Sequence, residues 1–179
     1  MINYYSTIAT CKKCGNELKF ENEAERIHYI CSKCYSGETS YIISFSKEYF
    51  FLSNFYVAPF IYHNEKWLTS EHFYQGMKTG DLTWRKKIQD AKTAREAKVL
   101  GLQCPLREDS DLVKNEIMMQ GLMCKFAQNR DIRQRLIDTG DAVLIEGNNW
   151  GDRYWGVDKV GENILGKLLM KLRGELNEV

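Results

Sequence analysis

Two Cys-x-x-Cys pairs, Cys11/Cys14 and Cys31/Cys34, have 16 residues between them and fix how the first part of this chain can fold. In a reducing compartment that spacing predicts one structural zinc ion in a tetrahedral shell of four thiolates, not disulfides. The intervening residues suffice for a short hairpin but not for a core. Metal binding, worth roughly 10–16 kcal/mol in small zinc modules, would replace the missing hydrophobic stabilisation. Gly15 after Cys14 suits the returning turn. His28 could compete as a ligand, but four thiolates already close the shell. Two pairs at this spacing also argue against a thioredoxin-like redox role. Cys104 and Cys124 have no such spacing and are expected to be small buried hydrophobes.

Composition bounds the remainder. The chain has 179 residues, 44% hydrophobic and 27% charged, which fits one ordinary domain plus a small appendage. No apolar run approaches the roughly 18 residues of a membrane span. The segment Met1-Ile2-Asn3-Tyr4-Tyr5 has no signal-peptide pattern, so a cytoplasmic location without membrane contact is expected. Residues 1–40 hold five Lys/Arg and five Glu, a poor electrostatic footprint for duplex DNA. A zinc ribbon here is expected to brace its neighbour or contact protein at least as readily as nucleic acid.

The pattern changes after Gly37, giving a ribbon over 1–40 and a second domain over 41–179. Tyr41–Phe45, Tyr49–Leu52 and Val57–Tyr62 are aromatic and β-branched, and predict short strands. Ser53-Asn54-Phe55 interrupts them, with side chains suited to a turn. His63–Lys66 predicts a hairpin turn leading to Trp67. Thr69 or Ser70 then caps a helix through about Lys78, on which Glu71, Gln75 and Lys78 share one face. That face is either a solvated stripe or the wall of a pocket.

Thr93-Ala94-Arg95-Glu96 has the capping-box pattern, before a helix stopped by Gly101. Further helices are expected over Leu112–Phe126 and Ile132–Ile137, then a buried strand at Ala142–Ile145. Asn163 is expected to cap a last helix with a broad leucine face. The domain is therefore α+β, helix-rich, with short strands. Before that last helix comes Asn148-Asn149-Trp150-Gly151-Asp152-Arg153-Tyr154-Trp155-Gly156, too polar and glycine-rich for a helix or an interior strand. Its tryptophans either plug the core or offer a binding surface.

Several of these segments, in order, resemble the NADAR (YbiA-like) family. They are Ser53-Asn54-Phe55, Thr69-Ser70-Glu71-His72-x-x-Gln75-x-x-Lys78, Lys125-Phe126, Thr139-Gly140-Asp141 and Leu144-x-Glu146. Asp152-x-x-Trp155-Gly156 and Asn163-x-Leu165-Gly166-x-x-Leu169-Met170-x-x-Arg173 complete the set. The resemblance covers about residues 43–176, and the zinc segment lies outside the family's pattern.

This resemblance implies an N-glycosidase that breaks a C–N bond at a ribose anomeric carbon. Its substrate would be ADP-ribosylated guanine or a ribosylamine phosphate of the early riboflavin pathway. It also implies that Glu71, Lys78 and Asp152 are catalytic, with Ser53, Asn54, Trp155, Gly156 and Asn163 on the substrate. A carboxylate such as Glu71 can stabilise oxocarbenium charge or activate water. Lys78, its pKa lowered by partial burial, could instead attack the opened anomeric carbon as a Schiff base. Trp155 offers a stacking face, and the Gly161–Asn163 helix start offers free N–H groups to a phosphate. No catalytic cofactor is expected. The competing expectation is a non-catalytic zinc-ribbon adaptor that recognises ADP-ribosyl or nucleotide groups.

Overall fold

The computed structural model describes residues 40–177, together with the backbone of two strands, β1 (Ile8–Thr10) and β2 (Glu17–Lys19). Those strands pair antiparallel in the register Ile8↔Lys19, Ala9↔Leu18, Thr10↔Glu17. The expected zinc ligands Cys11, Cys14, Cys31 and Cys34 lie outside the described residues. The others fall into two compact units: residues 40–43 with 141–166, and residues 44–140 with 167–177.

In the first unit β3 (Tyr41–Ile42) runs parallel to β6 (Val143–Leu144). The ladder is extended by Val143 N–H to Ser40 O at 2.9 Å and Ile145 N–H to Ile42 O at 2.8 Å. Leu144 is fully buried. A pairing across a hundred residues is invisible to local pattern, which gives only the strand's apolar run.

The second unit is helical. Where Tyr49–Leu52 reads as a strand, the chain instead forms a 3-10 helix over Lys47–Leu52. Phe51 and Leu52 are buried and Phe50 is exposed, so a tight turn satisfies an aromatic run too short to declare its period. Strands β4 (Phe60–Tyr62) and β5 (Glu65–Trp67) follow, joined by a two-residue turn at His63 and Asn64, both left-handed. Phe60, Trp67 and Phe73 meet edge to face, with centroids 5.7 Å (Phe60–Phe73) and 5.5 Å (Trp67–Phe73) apart. That cluster seats α1 (Ser70–Met77) against the hairpin.

Helices α2 (Leu82–Gln89), α3 (Ala94–Gln103), α4 (Ser110–Gln128) and α5 (Arg130–Ile137) complete this unit. The sequence reading omits α2, whose residues are mostly polar and bury only Ile88. Its start is nonetheless capped in the ordinary way, Asp81 accepting from Thr83 and Trp84 N–H. In α3 half of the expected capping box forms: Thr93 Oγ1 accepts from Glu96 N–H, but Glu96 reaches back past the cap to Lys92 N–H. Gly101 does not stop this helix but lies inside it, for a packing reason given below. The last helix, α6 (Ile164–Asn177), buries Leu165, Leu169 and Leu172. Among the described residues no helix is long and apolar enough to cross a membrane.

Candidate active site

Helix α1 is anchored at its first turn. Thr69 Oγ1 accepts from His72 N–H at 3.2 Å and lies 2.7 Å from His72 Nδ1, while His72 Nε2 lies 3.1 Å from Ala91 O. A carbonyl only accepts, so Nε2 carries the proton and Nδ1 accepts from the threonine hydroxyl. Burial lowers the His72 pKa against the opposing pull of the Ala91 bond and Glu96, which keeps this imidazole neutral. The ring therefore ties α1 to the segment before α3. Nothing in a one-letter pattern signals that role.

Just beyond the cap lies Glu71, buried at 6% exposure. Its backbone N–H donates to Asn54 O at 3.1 Å, and its Oε1 accepts from Gln75 Nε2 at 2.7 Å. The expected shared face is thus a buried one. Asn54 Oδ1, Ser70 Oγ and Gln75 Oε1 are also buried and have no hydrogen-bond partner among the described residues. Buried polar atoms are nearly always satisfied, so three beside a buried carboxylate mark a place prepared for polar partners.

Ser53 and Asn54 divide the two readings of their segment. Ser53 Oγ accepts from Phe55 N–H at 3.2 Å and makes the turn, whereas Asn54 Oδ1 is left without a bond. The turn is held from below by Lys125 on α4, which is fully buried. Its Nζ donates to Phe51 O at 2.7 Å and Ser53 O at 2.9 Å. Lys125 appears in the sequence only as part of a motif, because a lysine at a helical apolar position carries no sign of its burial.

Lys78 is the C-cap of α1. Burial lowers its pKa; Cys104 and Glu71 pull it back upward, and Lys98 pushes it further down. Both lysines also sit over aromatic rings, Lys78 Nζ at 5.9 Å from the centroid of Tyr74 and Lys98 Nζ at 5.9 Å from that of Phe55. One unit therefore holds Ser53, Asn54, Glu71, Gln75 and Lys78, with Lys98 added to what the sequence singled out.

The first unit holds the other expected residues, and there the polar groups are differently engaged. Asp152 Oδ1 accepts from Tyr154 N–H at 3.1 Å and Trp155 N–H at 2.9 Å, which shapes the loop around Trp155. Trp155 is half-buried and meets Tyr154 edge to face, while Trp150 is 62% exposed. Gly156 is a close approach: a Cβ there would lie 2.3 Å from Glu146 O. The strand-like contact beside it, Val157 N–H to Glu146 O at 2.8 Å, requires that bare backbone.

The helix start is the clearest departure from expectation. Asn163 has a left-handed backbone, φ 53°. Its side chain accepts from Glu146 N–H at 3.0 Å and donates to Leu144 O at 2.8 Å, so it fastens β6 rather than capping α6. Of the N–H groups expected for a phosphate, those of Glu162 and Asn163 are occupied. Those of Glu162, Asn163, Ile164 and Leu165 donate to the carbonyls of Arg153, Gly156, Tyr154 and Trp155 at 2.8, 3.3, 3.1 and 3.0 Å. The tryptophan loop itself satisfies this helix terminus.

An open groove elsewhere, lined by Asn64, Glu65, Lys66, Lys86 and Asp90, contains none of these residues. Its charges pair locally, Lys86 with Asp90 at 2.6 Å and Glu65 with Arg85 at 2.7 Å. Among the described residues no group of three or more His, Cys, Asp or Glu is placed to hold a metal ion.

With this geometry in place, comparison with known proteins gives the class. The family model described as NADAR domain matches residues 41–177, and the chain belongs to that family. An N-glycosidase of Nostoc punctiforme is 38% identical over 149 residues, covering 79% of this chain and 94% of that protein. The N-glycosidase YbiA of Escherichia coli is 36% identical, covering 74% of this chain and 85% of YbiA. The NMR structure of E. coli YbiA aligns with a TM-score of 0.70 over 76% of this chain and 83% of that one. A riboflavin biosynthesis protein of Vibrio vulnificus is 35% identical across 72% of this chain but only 36% of its own length.

Proposed function

We propose that this NADAR-family N-glycosidase hydrolyses the C–N bond at the anomeric carbon of a phosphorylated ribosyl substrate, with Glu71 as its principal carboxylate. The observation that carries the assignment is Glu71 itself, a buried acid bonded to Gln75, next in sequence to Ser70 and tied by its backbone to Asn54, three residues with buried polar atoms that have no hydrogen-bond partner among the described residues. Cleavage builds positive charge on the ribose as the C–N electron pair leaves with nitrogen. A buried carboxylate stabilises that charge more strongly than an exposed one, since low dielectric amplifies the attraction. Glu71 can also accept the proton of the attacking water, whose oxygen becomes the anomeric hydroxyl; the departing nitrogen takes up a proton.

Lys78 supports an alternative first step. Burial favours its neutral amine, which can attack the anomeric carbon and expel the nitrogen; breaking the ribose C1–O bond then opens the ring to an iminium, which water hydrolyses. Borohydride added during turnover separates the routes. A covalent adduct on the wild type, absent from Lys78→Arg, establishes the Schiff base; turnover without an adduct establishes direct attack by water. Asn54 is assigned to substrate hydroxyls or a base edge. Asp152 is assigned to electrostatic support and to holding Trp155 and Gly156, with Trp155 stacking on a ring.

Two substrate classes fit this chemistry, ribosylamine phosphates and ADP-ribosylated guanine. The riboflavin relatives favour the first. Parallel incubation with ribosylamine phosphates, ADP-ribosylated guanosine and ADP-ribosylated DNA, scored by released sugar phosphate or ADP-ribose, decides between them. Binding without release from any of them would favour the adaptor reading.

The zinc ribbon over 1–40 is proposed on the cysteine spacing, supported by the β1–β2 pairing, which joins the two ends of the segment carrying Cys11 and Cys14. Metal analysis of the full chain should give one zinc, lost in Cys11→Ser/Cys31→Ser. Small-substrate turnover should survive that loss, because structural zinc leaves no open coordination position.

A further inference from the structure

Gly101 lies inside the last turn of α3, where glycine is a weaker helix former than alanine, by up to about 1 kcal/mol. Its packing accounts for that choice. A Cβ at 101 would lie 2.0 Å from Gln75 Oε1, 2.7 Å from Gln75 Cδ and 2.8 Å from Gln75 Cβ. Gln75 is only 4% exposed, enclosed where α1 meets α3. Its amide has one sensible orientation, because only the NH2 end can donate to the Glu71 carboxylate. The oxygen is thereby turned onto the bare backbone of Gly101 and has no hydrogen-bond partner among the described residues. An unsatisfied buried acceptor costs stability. The arrangement accepts both that cost and a helix-weakening glycine, and what it obtains is a donor fixed on Glu71 Oε1.

The geometry points to Gln75 as a positioning residue that, seated on the bare backbone of Gly101, fixes the carboxylate of Glu71 for the reaction. This rests on the assignment of Glu71 as the working acid, but it is tested separately. Gln75→Met keeps the length of the side chain and removes the donor. Gly101→Ala drives the amide off its seat while leaving Gln75 intact. Ionisable groups on the elements packed against α1, namely Lys98 and Cys104 of α3, Lys125 of α4, Arg85 of α2 and Glu65 of β5, are unaltered in both, as is Lys78.

The experiment follows the Glu71 carboxyl carbon by NMR in the full chain as pH is varied, for wild type, both single variants and the double variant. Loss of a donor to the ionised form should raise the Glu71 midpoint by about 1–2 units in each single variant, the equivalent of one charged hydrogen bond. The double variant should move no further than Gln75→Met alone, since both changes act through one bond. In parallel, kcat should fall about 10- to 100-fold with KM nearly constant. An unmoved midpoint in folded Gln75→Met overturns the inference, as does an additive shift in the double variant. If Gly101→Ala does not fold, Gln75→Met alone decides. A shifted midpoint in Gln75→Met, with normal turnover in Glu71→Gln, would instead retain the positioning and refute the catalytic assignment.

Discussion

The α1 helix with its preceding turn, and the tryptophan loop with its following helix start, are equally rich in polar residues and use them in opposite ways. Near Glu71 along the chain and its bonds, Asn54 Oδ1, Ser70 Oγ and Gln75 Oε1 are buried without hydrogen-bond partners among the described residues. In the loop, Asp152 and Asn163 bond backbone N–H and C=O groups, and successive N–H groups at the start of α6 are taken by loop carbonyls. The first region holds interactions in reserve at a cost in stability; the second uses its interactions to hold shape. A polar motif therefore does not announce its task until its hydrogen bonds have been traced.

The largest effect expected from this contrast is at Glu71. Glu71→Gln should keep the thermal midpoint close to wild type and lower turnover by about 10²–10⁴-fold, the usual worth of a positioned acid or base. Near-normal turnover in the folded variant would dissolve the difference between the regions.

Asp152 sharpens the contrast from the other side, because one carboxylate serves both shape and charge. Asp152→Asn can still accept from Tyr154 and Trp155 N–H, so it should melt near wild type and lose less turnover than Glu71→Gln. Asp152→Ala loses both bonds and should destabilise by about 1–3 kcal/mol, with activity falling as well. Equal melting of the two variants, followed by calorimetry, would show that the backbone bonds carry no stability.

The smallest effect concerns Lys78. Its folded pKa is depressed by burial, so between that value and the ordinary lysine value near 10.4 the unfolded chain binds more protons. Stability conferred by this position therefore rises with pH through that window, and the charged amine opposes folding below it. Lys78→Met should be slightly more stable than wild type at pH 7, and the advantage should fade toward pH 10. An advantage that grows with pH would contradict the burial assigned to this amine.

Legibility in the sequence followed the range of the interaction. Local devices were readable: the Thr69 cap, the Thr93 cap, the His63–Asn64 turn and the leucines of α6 each depend on residues a few positions apart. The Lys47–Leu52 3-10 helix was not, since six residues with three aromatics carry no usable period. Helix α2 escaped because its stability comes from an Asp81 cap and one buried Ile88 rather than from an apolar stripe. In the site, Glu71, Lys78 and Asn54 were legible as residues of the right chemistry in a recognisable order. Gln75 and Gly101 acquire their meaning only when α1 and α3 pack, and Lys125 only when a helix 72 residues away grips the Ser53 carbonyl. Asn163 looked like a cap because it precedes a helix; a left-handed backbone and a bond to Leu144 O gave it another task.

The same substitution made in both regions tests the central claim most directly: Asn→Ala at 54 and at 163, with thermal midpoint and kcat/KM measured for each. Asn54→Ala removes a buried acceptor that no group among the described residues uses. It should melt within about 2 °C of wild type and lose about 3- to 10-fold in kcat/KM, one hydrogen bond to substrate. Asn163→Ala breaks two bonds and places a Cβ-bearing residue without a local side-chain bond in the left-handed region, about 2–4 kcal/mol together. Its midpoint should fall by roughly 5–15 °C, with kcat/KM per folded molecule unchanged. A stable Asn163→Ala that fails to turn over, or an Asn54→Ala that melts early with normal turnover, would contradict the division of labour between the two regions.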